Sequence, residues 1–132
     1  MGKIVYAEDD PIVRMALMAA LEDAGFEVCE VSDGDSAIEI LRKETSSVAG
    51  LVTDINLGMG ADGWEVARLG RELNPTLPVV YLSAQSHDAW AAKGVPNSSM
   101  IAKPFAPTQV VVALSLALNI STDSPKATDV SD

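Results

Sequence analysis

The sequence contains a single cysteine, Cys29, and a single histidine, His87. One thiol forms no internal disulfide, and Cys29 sits in an apolar stretch, so it reads as an inert core residue in a reducing compartment. With His87 alone and no second thiol, a zinc or other transition-metal site has no ligand set. Basic residues are scarce: 9 Lys and Arg stand against 19 Asp and Glu, for a net charge of −10. That balance argues against nucleic acid as a partner, because phosphate neutralisation needs a basic face. It equally disfavours an anionic membrane surface. No apolar run is long enough to span a bilayer. Met1-Gly2-Lys3 leads directly into a strand with no signal-peptide pattern, so a cytoplasmic protein is expected. No internal repeat is present.

What remains is an alternation of strand and helix in a chain of one-domain length, 132 residues. Lys3–Ala7 is a short apolar strand that ends in Glu8-Asp9-Asp10. Asp10-Pro11 starts a helix as cap and first residue. Ile12, Met15, Ala16, Ala19 and Ala20 recur in it at helical spacing up to about Ala24, and Gly25 closes it. Glu27–Val31 is the second strand. Asp33 caps a second helix with Ala37, Ile38 and Leu41 inward. Leu51–Thr53 is the third strand, ending at Asp54. A glycine-rich loop then leads to Asp62-Gly63 and a third helix, whose candidate inner residues are Val66, Ala67, Gly70 and Leu73. Asn74-Pro75 ends it. Leu77–Leu82 is the fourth strand, Ser86 or His87 to Ala92 a short helix, and Met100–Ala102 a brief fifth strand. A last helix runs from Pro107 to about Asn119. The domain is therefore expected to end near residue 120, with 121–132 a flexible polar tail.

Five strand–helix units with near-continuous apolar strands imply an α/β fold. The expected form is a doubly wound, five-stranded parallel sheet with a shortened fourth helix; right-handed crossovers leave a few strand orders, one of which is the flavodoxin-like 2-1-3-4-5. In that order the ends of strands 1 and 3 are neighbours at the switch point. Glu8, Asp9 and Asp54 then face one another. An Asp after a strand is most often a turn residue, and acids before a helix answer its dipole. Those readings cover Asp10 but not acids already at strand ends. Crowded carboxylates repel unless a cation joins them, and oxygen ligands of this kind suit magnesium. Strand 4 delivers Ser83-Ala84 and strand 5 delivers Lys103. Alone, each is an ordinary turn or surface residue. Together with the acids, a hydroxyl, an ammonium and backbone N–H groups form a phosphoryl site.

Ile4–Asp10, Val52–Asn56, Leu82-Ser83-Ala84 and Ala102–Phe105 together resemble a response-regulator receiver domain. The resemblance covers about Lys3 to Asn119. It implies that Asp54 is the phosphoacceptor, fed by a histidine kinase or a histidine phosphotransfer protein. Asp9, Asp54 and the backbone carbonyl of Asn56 would hold Mg²⁺, with Mn²⁺ able to substitute, and Glu8 would act through water. Ser83 and Lys103 would contact the phosphoryl group, and the Lys103–Pro104 bond would be cis. On chemical grounds, the N–H groups of Asn56 and Ala84 would take other phosphoryl oxygens. Asn56 and Gln85, each two residues past a site residue, would tune the lifetime of the acyl phosphate.

Several positions depart from the family pattern. Glu8 stands where Asp is commoner. Gly58 replaces the usual Pro in a loop about one residue longer. Met100 occupies the place of a frequent aromatic switch residue, so Ser83 and Met100 would form a switch without a rotating ring. The stretch to Lys103 is about two residues short, which stunts the fourth helix and leaves Val95-Pro96-Asn97 as loop. The expected output is a reordering of His87–Pro96, with the downstream target unknown. The last helix is apolar nearly all round. It reads either as buried or as a partner or homodimer surface, and both readings stay open. A receiver standing alone and one cut from a hybrid kinase fit the sequence equally. Two other classes fit the residues less well. A haloacid-dehalogenase-type phosphatase carries its nucleophile on the first strand, in an Asp-x-Asp pattern absent here. A phosphorylation-independent binding module has no use for the full set of Asp9, Asp54, Ser83 and Lys103.

Overall fold

The computed structural model describes residues 2–84 and 87–130, with side chains described through 119 apart from His87. Five parallel strands, β1 (Lys3–Ala7), β2 (Glu27–Val31), β3 (Val48–Asp54), β4 (Val79–Ser83) and β5 (Ser99–Ala102), form one sheet in the order β2-β1-β3-β4-β5. The helices are α1 (Pro11–Asp23), α2 (Gly34–Lys43), α3 (Gly63–Leu73), α4 (His87–Lys93) and α5 (Pro107–Val130). Alternation along the strands divides the core in two. Val5, Ala7, Leu51, Val79 and Tyr81 pack with Ala37, Leu41, Val66 and Ala67 of α2 and α3. Ile4, Tyr6, Val52, Val80 and Leu82 pack with Leu17 and Leu21 of α1 and Val110 and Leu114 of α5. Each central strand is buried on both sides, as a sheet covered on both faces requires.

The local signals are realised at the helix starts. Asp10 accepts from the N–H groups of Ile12 and Val13, with Pro11 as first helical residue. Asp62 and Glu65 form a reciprocal capping box on α3. Gly63 is fixed by close approach: a Cβ there would collide with the backbone carbonyl of Asp54. The first turn of α3 is thus pressed directly against the end of β3.

Four expectations are corrected. The residues at helical spacing in α1, Ile12, Met15, Ala16, Ala19 and Ala20, do not mark its buried face; Leu17 and Leu21 are buried, and Ile12 and Met15 are 79% and 69% exposed. The helix carries apolar residues on most of its circumference, so spacing alone fits more than one face. Leu73 is exposed at the last turn of α3, while Trp64 at its first turn is buried. Strand β3 begins at Val48, because a 3₁₀ turn at Thr45–Ser47 feeds straight into it. Helix α5 continues to Val130, past the boundary near Asn119. No glycine stands at that boundary to stop it. The fourth helix is short as expected, spanning His87–Lys93.

Candidate functional site

The C-terminal ends of β1, β3, β4 and β5 meet at one edge of the sheet. Asp54 is the last residue of β3, Ser83 the last of β4, and Glu8 follows β1 directly. Glu8 is fully buried, Ser83 and Asp54 nearly so, and Asp9 is exposed at the rim. The Lys103 ammonium reaches across from the end of β5. It lies 2.9 Å from Asp54 Oδ2 and 3.2 Å from Glu8 Oε1. Its backbone N–H donates to the Ser83 carbonyl at 2.8 Å, and the Lys103–Pro104 bond that follows is cis.

One carboxylate oxygen from each of Glu8, Asp9 and Asp54 lies within 4.8 Å of the others. Burial pushes the Glu8 carboxyl up to about 7, and the Asp54 charge pushes in the same direction. Lys103 is held above its usual value: burial opposes its charge, but hydrogen bonding and attraction from Asp54 and Glu8 outweigh it. One ammonium therefore faces a group of acids that outnumbers it. The donor set consists of oxygens alone, which fits a hard divalent cation and not a soft metal.

Asn56 and Ala84 both lie exposed at this edge, next to the strand ends that carry Asp54 and Ser83. Gln85 lies outside the described residues. Met100 is half-buried beside Tyr81 in the strand register, so no aromatic ring occupies that place on β5.

Four residues of the surroundings escaped the sequence reading. Arg14 donates to the Glu8 carbonyl at 2.7 Å and pairs with Glu30 at 2.9 Å, tying α1 and β2 to the site. Thr53 is buried, and its hydroxyl donates to the Asp54 carbonyl at 2.8 Å. Asp35 of α2 accepts from the Ala61 N–H in the loop after Asp54. Tyr81 accepts from the Val95 N–H at 3.1 Å, and its ring packs against Trp64 at a tilt of 54°, with centroids 4.8 Å apart. Arg14 and Asp35 each bond to backbone atoms far along the chain or a turn away, and no short-range pattern marks such a partner. For Thr53 the signal was present, a hydroxyl beside the key acid in an apolar strand.

Comparison with known proteins bears on the whole assembly. A family model described as "Response regulator receiver domain" matches residues 4–115. The response regulator receiver protein CpdR of Brucella abortus is 36% identical over 110 residues, covering 80% of this chain and 87% of that protein. The transcriptional regulatory protein TctD of Salmonella typhimurium is 38% identical over 105 residues, covering 78% of this chain but only 46% of that protein. A response regulator receiver protein from Sinorhizobium medicae superposes with a TM-score of 0.87 at 41% identity, covering 91% of this chain and 96% of the other. These matches support neither the phosphatase nor the phosphorylation-independent module. Receiver domains bind Mg²⁺ at an acidic pocket and work with histidine kinases or phosphotransfer proteins. With the sheet order, the acidic edge and these relatives in agreement, the chain belongs to the response regulator receiver domain family and serves two-component signalling.

Proposed function

We propose that Asp54 accepts a phosphoryl group from a phosphohistidine of a kinase or phosphotransfer protein, in the cytoplasm, and that this acyl phosphate is the signal. The observation that carries the reading is Lys103 Nζ at 2.9 Å from Asp54 Oδ2, with Glu8 and Asp9 gathered beside it. Phosphoryl transfer needs positioning and charge neutralisation more than covalent help. Asp54 supplies the attacking oxygen. Lys103 is already placed to neutralise an oxygen of the incoming group. Ser83 and the N–H groups of Asn56 and Ala84 border the same space and take the remaining oxygens. Asp9, Asp54 and the Asn56 carbonyl would hold Mg²⁺, or Mn²⁺ in its place, with Glu8 acting through water. When bound, the metal supplies positive charge to the phosphoryl oxygens and relieves repulsion among the acids. Asn56 and Gln85 flank the approach of water and set how long the acyl phosphate survives. With acetyl phosphate and Mg²⁺ the protein should gain one phosphoryl group by mass spectrometry. Excess EDTA should remove that gain. Equal labelling with and without the chelator would sink the metal assignment.

Output runs from Ser83 through the short α4. Two features support this. Met100 has no ring to reorient, and its thioether adapts to irregular space. The segment after α4 is held firmly: Ser98 Oγ donates to the Val95 carbonyl at 2.7 Å and the Val95 N–H donates to the Tyr81 hydroxyl at 3.1 Å, while Trp90 Nε1, donating to Ser98 Oγ at 3.0 Å, is the tie from α4 that a reordering has to break. Arg71 of α3 donates to the carbonyls of Pro96 and Asn97. The reordering is thereby narrowed from His87–Pro96 to its first half, ahead of Val95. Beryllofluoride on Asp54 should raise amide exchange in 87–93 and leave Val95 protected. Ser83→Ala should blunt that rise. Faster exchange at Val95 itself would show that the anchored half moves too.

Helix α5 exposes Val112 and Leu116, each 57% accessible. They support α5 as the face for the downstream target or a second copy. Light scattering of wild type against Leu116→Asp decides the homodimer: an unchanged mass in the variant removes it.

A further inference from the structure

The loop between β3 and α3 is built to hold one apolar side chain out in solvent. Leu57 and Ala61, on either side of its tip, are buried at 3% and 9% exposure, whereas Met59 between them is 93% exposed. Gly58 and Gly60 flank Met59 with φ of 78° and 86°. A side chain at either position would strain the backbone, so this reversal depends on the two glycines. The second foot of the loop is latched. The Ala61 N–H donates to Asp35 Oδ1 at 3.1 Å, and Gly34 lies flush against the Ala61 carbonyl. Gly60 runs so close to Asp35 that a Cβ would meet its carboxylate at 2.8 Å.

A lone exposed methionine needs no explanation. This one differs in that its backbone is fixed and it stands five residues beyond Asp54. The same end of the molecule carries Ile12 and Met15 on the first turns of α1, directly after the acids of β1. Among the described residues, the other exposed large aliphatics, Leu73, Val112 and Leu116, belong to the far end of α3 and to α5. Asp54 itself is only 6% exposed. A protein-borne imidazole must therefore be brought down over this rim to reach it, whereas a small phosphodonor need not touch the rim.

From this, and resting on the reading of Asp54 as phosphoacceptor, we infer that Met59 is a specificity-determining contact for the phosphodonor protein. It enters an apolar hollow beside the donor's phosphohistidine, and Asp35 is the positioning residue that holds it there. Methionine suits the task because it is long, unbranched and polarizable. A preset loop also spares the ordering cost that a mobile contact would add on binding.

The test compares two kinds of donor on the full chain. Purified, autophosphorylated histidine kinases and phosphotransfer proteins from the source organism serve as one, and acetyl phosphate with Mg²⁺ as the other. Met59→Gln and Met59→Ala should lower kcat/KM for the protein donor that labels wild type by about tenfold, the effect of losing one well-buried interface contact. The acetyl phosphate rate should stay at the wild-type value, and Met59→Leu should restore transfer from protein. Asp35→Ala should lower protein-donor transfer in the same selective way. Unchanged protein-donor transfer in Met59→Gln overturns the inference, and so does an equal loss with both donors. Wild type labelled by acetyl phosphate but by no protein donor also overturns it, while leaving Asp54 as acceptor. Wild type labelled by neither overturns the acceptor reading itself.

Discussion

Asp54→Asn is expected to take no label from acetyl phosphate and Mg²⁺ at any time, where wild type takes one phosphoryl group per chain. An amide is not a nucleophile of comparable strength, and no neighbouring acid stands in for it. Glu8 is fully buried, with one oxygen toward Lys103 and the other accepting from the Asp10 N–H. Asp9 is exposed, and Lys103 directs its ion pairs to Glu8 and Asp54 instead. Lys103→Ala is expected to keep the acceptor yet slow labelling by roughly a hundredfold, the size of effect seen when one oxyanion donor is lost from a water-poor site. It also leaves two buried carboxylates facing each other without their cation. Lys103→Arg should not restore the rate, because a planar fork cannot replace a compact ammonium between two acids. Label on Asp54→Asn, located by peptide mapping to another residue, would remove Asp54 as sole acceptor. An undiminished rate in Lys103→Ala would remove the ammonium from the chemistry.

How much of this was legible in the sequence depends on the range of the physics involved. Asp10-Pro11, Asp33 and Asp62 with Glu65 announce helix starts because a cap bonds within three residues. Right-handed crossovers leave a few strand orders open and the family resemblance favours 2-1-3-4-5, the order that brings Glu8, Asp9 and Asp54 together. Spacing does not pick out the buried face of α1, because Ile12 and Met15 share the apolar character of core residues while their exposure is decided by the sheet beneath. In the end it is Leu17 and Leu21 that meet Tyr6 and Val52. Arg71, Tyr81 and Asp35 are invisible for a different cause: Arg71 donates to backbone carbonyls while Tyr81 and Asp35 accept from backbone N–H groups, and a backbone partner has no sequence signature. The loop after Asp54 was noticed as longer and glycine-rich, but the exposure of Met59 came only from the burial of its neighbours.

The electrostatics of the site predict that this protein, free of metal, is least stable where it works. Burial and the Asp54 charge raise the Glu8 carboxyl from its ordinary value of 4.5 to about 7 in the folded state. Between those two values the native chain binds a proton that the unfolded chain has already released. Stability must therefore fall as pH rises through that window and level off above it. A shift of this size corresponds to about 3 kcal/mol, on the order of 10 °C in melting temperature. Lys103 does not offset the slope there, because its own raised value acts only above pH 10.5. Glu8→Gln keeps an acceptor for Lys103 and removes the titration. The variant should melt higher than wild type at pH 8 in EDTA, match it near pH 5, and lose the fall between. Mg²⁺ should do for wild type at pH 8 part of what the substitution does, since a ligand bound only to the native state stabilises it. Asp9→Ala separates the two effects. Asp9 is exposed and is not among the causes of the Glu8 shift. That variant should keep the fall with pH and lose the gain from Mg²⁺. Melting curves of the three proteins at pH 5 and 8, with Mg²⁺ and with EDTA, decide the matter. A Glu8→Gln protein no more stable than wild type at pH 8 would mean that Lys103 already cancels the repulsion and that the metal has none to relieve.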